Sequence, residues 1–186
     1  MKLPLFPLPV YLLPSGVTQL RIFEQRYLTM VRNSQKTNGF VIVHTVGDDR
    51  ISEWGSWVDI VDFDQGDDGV LNLLVKCKHL VSIGETERQP DQLLTGEVEV
   101  LPHWPETTSN DRCIQLKHQL QRLFEDHPSL QKLYSEPQFD NYDWVCARWL
   151  ELLPVSFENK RHFAHPNSFL QAVDFLTTII FDEKPS

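Results

Sequence analysis

Leu3, Leu5 and Leu8 alternate with Pro4, Pro7 and Pro9 at the start of the chain. Proline fixes φ, lacks an amide proton and biases the residue before it toward extended structure, so this run predicts interrupted strand rather than helix. Pro14-Ser15-Gly16 then reads as a turn, and Thr18 to Phe23 alternates polar and apolar side chains in the period of a half-buried strand. From Glu24 the period changes: Tyr27, Leu28, Met30 and Val31 fall at helical spacing, with Glu24 placed to favour the positive end of the helix dipole. Five further segments read as strands, Phe40 to Val46, Trp54 to Phe63, Val70 to Cys77, His79 to Ile83 and Leu94 to Leu101. Each is rich in Val, Ile, Leu or Trp and bounded by turn residues. Six or seven short strands of this kind predict a compact, barrel-like sheet.

Past Pro102 and Pro105 the period switches from two to 3.6. Cys113, Leu116, Leu120, Leu123 and Phe124 form one apolar stripe; Tyr142, Val145, Cys146, Trp149, Leu152 and Leu153 form a second; Phe169, Ala172, Val173, Leu176, Ile179 and Ile180 form a third. Pro128, Pro137, Pro154 and Pro166 punctuate these helices, and Ser109, Asn141, Ser156 and Asn167 are placed as caps. The expected organisation is a β-rich lobe over residues 1–105 and a helical lobe over residues 106–186, an α+β fold.

Composition narrows what such a fold can do. With 41% hydrophobic and 23% charged residues over 186 positions, the chain is globular. Its net charge of -9 is spread over both halves, 9 basic against 14 acidic residues through Pro105 and 8 against 12 after it. A nucleic-acid or anionic-membrane partner needs the opposite sign, so neither is expected. Cys77, Cys113 and Cys146 form no C-x-x-C pair, and an odd number leaves no complete internal disulfide set, which suits a reducing cytoplasm. The prolines near the start break any signal-peptide helix, and no apolar run reaches the roughly 20 residues of a membrane span.

L-P-L-F-P-L at Leu3 to Leu8, the turn at Pro14 to Gly16, and L-R-I-F-E-Q-R-Y at Leu20 to Tyr27 together resemble the entry signature of the N-terminal domain of the Lon protease, a family also found in cereblon and in free-standing small proteins. The structural residues carrying this resemblance are Leu5, Phe6, Pro7, Leu8, Pro14, Gly16, Phe23, Glu24, Arg26 and Tyr27. Gly55-Ser56 with Ile60 to Phe63 and Asp68 to Leu71 is similar to the family's next hairpin, and Glu151-Leu152-Leu153-Pro154 to its helical-lobe motif. Two departures stand out. Cys77-Lys78-His79-Leu80 occupies the place where family members often carry a glycine and an Arg-Phe pair, and Ser15 intervenes before the turn glycine, an insertion that a longer turn would absorb. The resemblance implies a PUA-like β lobe followed by helices, and a module that binds unfolded or exposed apolar polypeptide segments or a specific protein partner.

Catalytic and metal-binding patterns are weak. D-F-D-Q-G-D-D-G at residues 62–69 has the carboxylates of a calcium loop, but Asp67 and Leu73 stand where an EF-hand needs glycine and glutamate, so a hairpin turn is expected. His162 and His165 with Glu158 lack the H-E-x-x-H arrangement of a zinc hydrolase, and Cys77 beside His79 shares only a strand face with it. No G-x-x-x-x-G-K-[ST] phosphate loop is present, and neither an ATPase nor a Ser-Lys peptidase is expected in a chain of this length. The expectation is therefore a non-catalytic module without cofactor or metal, the alternative being a small hydrolase using Cys77 or the His162 and His165 pair. Trp54, Trp104 and Trp144 are the candidate partner-binding residues, because tryptophan is enriched at binding hot spots. The expected routes are an aromatic-lined groove between the lobes or strand addition to an open sheet edge.

Overall fold

A computed structural model describes residues 1–47, 50–66, 68–105 and 110–182. Ser109, expected as a cap, and Asp67, in the aspartate-rich run, lie outside the described residues. The chain divides into two compact units, Met1–Leu101 and Pro102–Ser186.

The first unit holds β1 (Lys2–Pro7), β2 (Val17–Ile22), α1 (Gln25–Thr37), β3 (Phe40–Thr45), β4 (Ile51–Gln65), β5 (Leu71–Arg88) and β6 (Leu94–Leu101). The sheet order is β2-β5-β4-β3-β1-β6, and β6 pairs back onto β5, so five strands close a ring and β2 lies outside it. β1 and β3 run parallel, with β2 and α1 between them in the chain, and the other pairs are antiparallel. Leu3, Leu5, Val41, Val43, Trp57, Val81 and Val98 fill the core. Gly55 is required there, because a Cβ would stand 2.6 Å from the Ile42 carbonyl oxygen.

The two segments expected as separate strands, Val70 to Cys77 and His79 to Ile83, are one strand, β5. The polar break between them is a bulge rather than a turn: Trp57 pairs with His79 and Val58 with Cys77, leaving Lys78 as the extra residue. At this point β5 changes neighbours. Leu71 to Lys76 pair with β2, whereas Leu80 to Arg88 pair with β6. The Pro14 turn holds a second local difference. Gly16 N donates to the Leu13 carbonyl at 2.9 Å and Ser15 itself has φ of 66°. The serine has taken the left-handed position that suits glycine, and the turn is not lengthened.

The second unit holds α2 (Asp111–Asp126), α3 (Pro128–Leu133), α4 (Tyr142–Leu152), α5 (Phe157–Arg161), a 3-10 turn (His162–Ala164) and α6 (Phe169–Asp182). Asn110 caps α2, accepting from Cys113 N at 2.9 Å; Asn141 caps α4 through Trp144 N at 3.0 Å, and Ser156 caps α5. α6 begins at Phe169, one residue beyond Ser168, so Asn167 lies outside the position expected for it. α4 packs against both α2 and α6 and is buried from Trp144 to Leu150, around its whole circumference. A single stripe therefore describes α2 well and α4 badly.

Candidate functional site

β3 runs alongside β4 only as far as the Phe40–Val58 pair. From Asp59 to Gln65, β4 continues with β5 alone, so among the described residues no strand lies on its other side. Beside this overhang a groove of about 850 Å³ is lined by Val31, Arg32 and Ser34 from α1 and by Ile60, Val61 and Phe63 from β4, with Leu71 and Leu73 contributed by β5. Leu73 is buried at 1% exposure, whereas Phe63 is 71% exposed and Val61 51%. Phe23, at the end of β2, is another large apolar side chain left in water, at 71%. Phe63 and Val61 thus stand exposed on a strand whose other side is open among the described residues.

The local sequence explains the geometry. Asn38 and Gly39 end α1 with φ of 64° and 98°, and a Cβ on Gly39 would stand 2.1 Å from the Val58 carbonyl oxygen. Glycine thus lets the chain turn tightly from α1 into β3 against β4. The Asn38 carbonyl accepts from Trp57 Nε1 and from Lys78 Nζ, each at 2.8 Å. Lys78 also donates to Asp59 Oδ1 at 2.6 Å and lies 4.1 Å from the Trp57 ring centroid. The β5 bulge residue therefore ties helix end, strand and overhang together. In β4 a second bulge falls at Val61, because Ile60 pairs with Val75 and Asp62 with Leu74. The hairpin closes through Gly66 N donating to the Val70 carbonyl and is braced by an Arg21–Asp68 ion pair, so the described residues of the aspartate-rich run, Asp62, Asp64 and Asp68 among them, belong to a hairpin.

The three candidate tryptophans separate. Trp54 is half-buried, edge-on to Tyr11 at 5.8 Å. Trp104 is buried and donates its indole N–H to Ser168 Oγ at 2.9 Å, with Phe169 edge-on to its ring. Trp144 is buried in a cluster with Phe124, Tyr134 and Phe139, all within 6.1 Å of its ring. Trp104 and Trp144 are core residues rather than surface anchors. Of the family-motif residues, Phe6 packs on Tyr27 at 4.1 Å and Leu8 N donates to the Val43 carbonyl, whereas Phe23, expected as structural, is 71% exposed because β2 ends at Ile22. Arg26 pairs with Glu24 and covers the Tyr27 ring, whose phenol is pushed up by burial. Phe63 and Val61 were missed as surface residues because alternation in V-D-F-D reads as a half-buried strand. That β3 stops short of them is a property of pairing.

The catalytic alternatives find little support in the geometry. Cys77 is buried and its Sγ lies 3.5 Å from the His79 carbonyl oxygen, not from its ring. His162 meets Gln171, and Glu158 pairs with Arg161. Cys113 and Cys146, far apart in sequence, share a hydrogen bond between α2 and α4 that, together with burial, drives the Cys146 thiol well above the usual thiol range. Both thiols are buried. Arg148, which sequence reasoning passed over, is 1% exposed, salt-bridged to Glu151 at 2.7 Å and stacked near Trp144 and Tyr134. Its signal was a lone arginine in an apolar helix with a glutamate three residues on.

A closed sheet with one parallel strand pair, followed by a helical unit, is a mixed α+β architecture, and comparison with known proteins gives its family. The family described as the ATP-dependent protease La (LON) substrate-binding domain matches residues 2–163, and the chain belongs to that family. Among solved structures, a Lon N-terminal domain protein from Xanthomonas campestris is similar at 28% identity and a TM-score of 0.74, over 96% of this chain and 98% of that one. The N-terminal domain of the Mycobacterium avium complex Lon protease shares the fold, at 15% identity and a TM-score of 0.69, over 99% of this chain and 100% of that one. No curated protein matches the chain.

Proposed function

We propose that this protein is a non-catalytic interaction module that binds exposed apolar segments of other polypeptides in the groove between α1 and the β4 overhang. The observation that carries this reading is the juxtaposition of exposed Phe63 and Val61 with a strand edge and a groove of about 850 Å³. A groove of that volume accommodates several side chains of an extended segment. Membership of a substrate-binding family supports the same reading. Trp54, half-buried, is retained as a secondary contact. Three free cysteines suit a reducing compartment such as the cytoplasm, and no described helix is long and apolar enough to cross a membrane.

The test is binding of a fluorescently labelled, permanently unfolded polypeptide without ATP, followed by anisotropy, against the same polypeptide folded. Saturable binding to the unfolded form, in the micromolar range that corresponds to about -8 kcal/mol, is expected. Phe63→Ser with Val61→Ser should weaken it roughly tenfold or more. Equal binding of both forms, or an unchanged affinity in the double variant, removes the reading.

A further inference from the structure

We propose that the groove's occupant is an extended, cationic polypeptide segment that adds as a strand to the free edge of β4 at 59–65. This rests on the binding reading above and specifies its mode and its chemistry. An edge strand presents unpaired backbone donors and acceptors, and an extended segment satisfies them along its whole length; a helix lying in the groove cannot. Phe63 and Val61 stand on the overhang that such a strand would join.

The charge selects among extended segments. Residues 59–70 contain five aspartates and neither lysine nor arginine. Asp59 is matched by Lys78 and Asp68 by Arg21. Asp62 and Asp64 are exposed and enter no ion pair among the described residues; Asp62 Oδ1 accepts from Phe63 N at 2.9 Å, so one donor of this strand is already met. Two copies of this edge laid side by side would bring these carboxylates together, and like charges across a strand pair are destabilising. The same features that disfavour a second copy favour a segment carrying lysine or arginine beside its apolar residues. Arg32, on the groove lining, offsets part of this field.

The experiment uses four labelled peptides and the full chain: alternating Val and Thr with two Lys at each end, the same peptide with Glu in place of Lys, and the Lys peptide with alternate amides N-methylated along one side or along the other. The Lys peptide is expected to bind roughly tenfold more tightly than the Glu peptide, with a preference that shrinks as salt rises. N-methylation on the pairing side should abolish binding. Asp62→Asn with Asp64→Asn should level the two affinities, and Arg32→Gln should widen their ratio; thermal melts of each variant confirm that it folds. Equal binding of the Lys and Glu peptides, indifference to N-methylation on either side, or no peptide binding while the unfolded polypeptide still binds would each overturn this inference and leave the function intact. If the unfolded polypeptide fails to bind as well, the function itself is lost.

Discussion

Both units bury aromatic residues, Phe6, Tyr27, Phe40 and Trp57 in the β-rich one, but they differ in the aromatics they leave in water. In the helical unit, Phe124, Tyr134, Phe139 and Trp144 face one another and a buried guanidinium; in the β-rich unit, Phe23 and Phe63 face water. The difference follows from how each architecture meets its backbone. A helix satisfies its own hydrogen bonds, so α4 can be enclosed by neighbours on every side, and its aromatics become core. A strand depends on a neighbour, and where β3 ends at the Phe40–Val58 pair, β4 keeps both an unpaired edge and the side chains that project beside it. Aromatic content alone therefore cannot locate a binding surface. Its value depends on whether the local backbone is already satisfied.

The largest expected effect tests the enclosed side of this comparison. Arg148→Ala removes the bidentate ion pair from the nearly buried Glu151 carboxylate and should cost about 3 to 5 kcal/mol in urea unfolding. Arg148→Met, which keeps volume while removing the charge, should cost less when combined with Glu151→Gln. A single-site loss under about 1 kcal/mol would mean that the cluster tolerates solvent.

Acid probes the same unit. Burial lowers His103 to about 4, with the Arg148 charge acting in the same direction and the Ala164 carbonyl against it. The unfolded chain binds this proton near pH 6.5 and the folded chain only near 4, so between those values the unfolded state holds more protons and stability falls as pH falls. The full span amounts to on the order of 3 kcal/mol. His103→Gln should flatten the slope of unfolding free energy against pH in that window. His44, lowered by burial in the β-rich unit, contributes with the same sign and remains in that variant as the residual slope.

These two experiments turn on residues that the sequence hid, and the reason is the same in both. Period-two and 3.6-residue patterns report which side of an element is apolar, so the strands, α1 and the α2 stripe were legible, as was the family signature from Leu3 to Tyr27. They do not report how many neighbours an element has. α4 is surrounded, so Trp144 and Arg148 are buried off the expected stripe. β4 outruns its neighbour, so Phe63 is exposed on an expected strand face. The bulge at Lys78 was equally invisible, because a polar residue between two apolar runs reads as a strand end whether or not the ladder continues.

A smaller effect is expected at the Pro14 turn. Ser15 holds φ of 66°, a conformation that costs an L residue roughly 1 kcal/mol and glycine almost nothing. Ser15→Gly should therefore stabilise the protein by about 0.5 kcal/mol, after the added flexibility of the unfolded chain is set against the relieved strain. Ser15→Val should lose about 1 kcal/mol or more, since a β-branched side chain tolerates this region worst. Equal stability of the three proteins would show that the turn relaxes to another conformation.

The smallest effect on stability belongs to Phe63, and its smallness is the informative part. A side chain 71% exposed contributes little to folding, so Phe63→Ser should change unfolding free energy by no more than about 0.5 kcal/mol. Phe124→Ser, an aromatic of the same size buried at 3%, should cost about 3 to 5 kcal/mol. The binding measurement should reverse the order: Phe63→Ser weakens capture of an unfolded polypeptide, while Phe124→Ser, assayed at a temperature where it remains folded, leaves it unchanged. Two phenylalanines with opposite rankings in the two assays would separate the part of the molecule that holds the fold from the part that meets a partner. A large folding loss at Phe63 would instead make the β4 overhang a structural element and remove the ground for treating its exposed face as a binding surface.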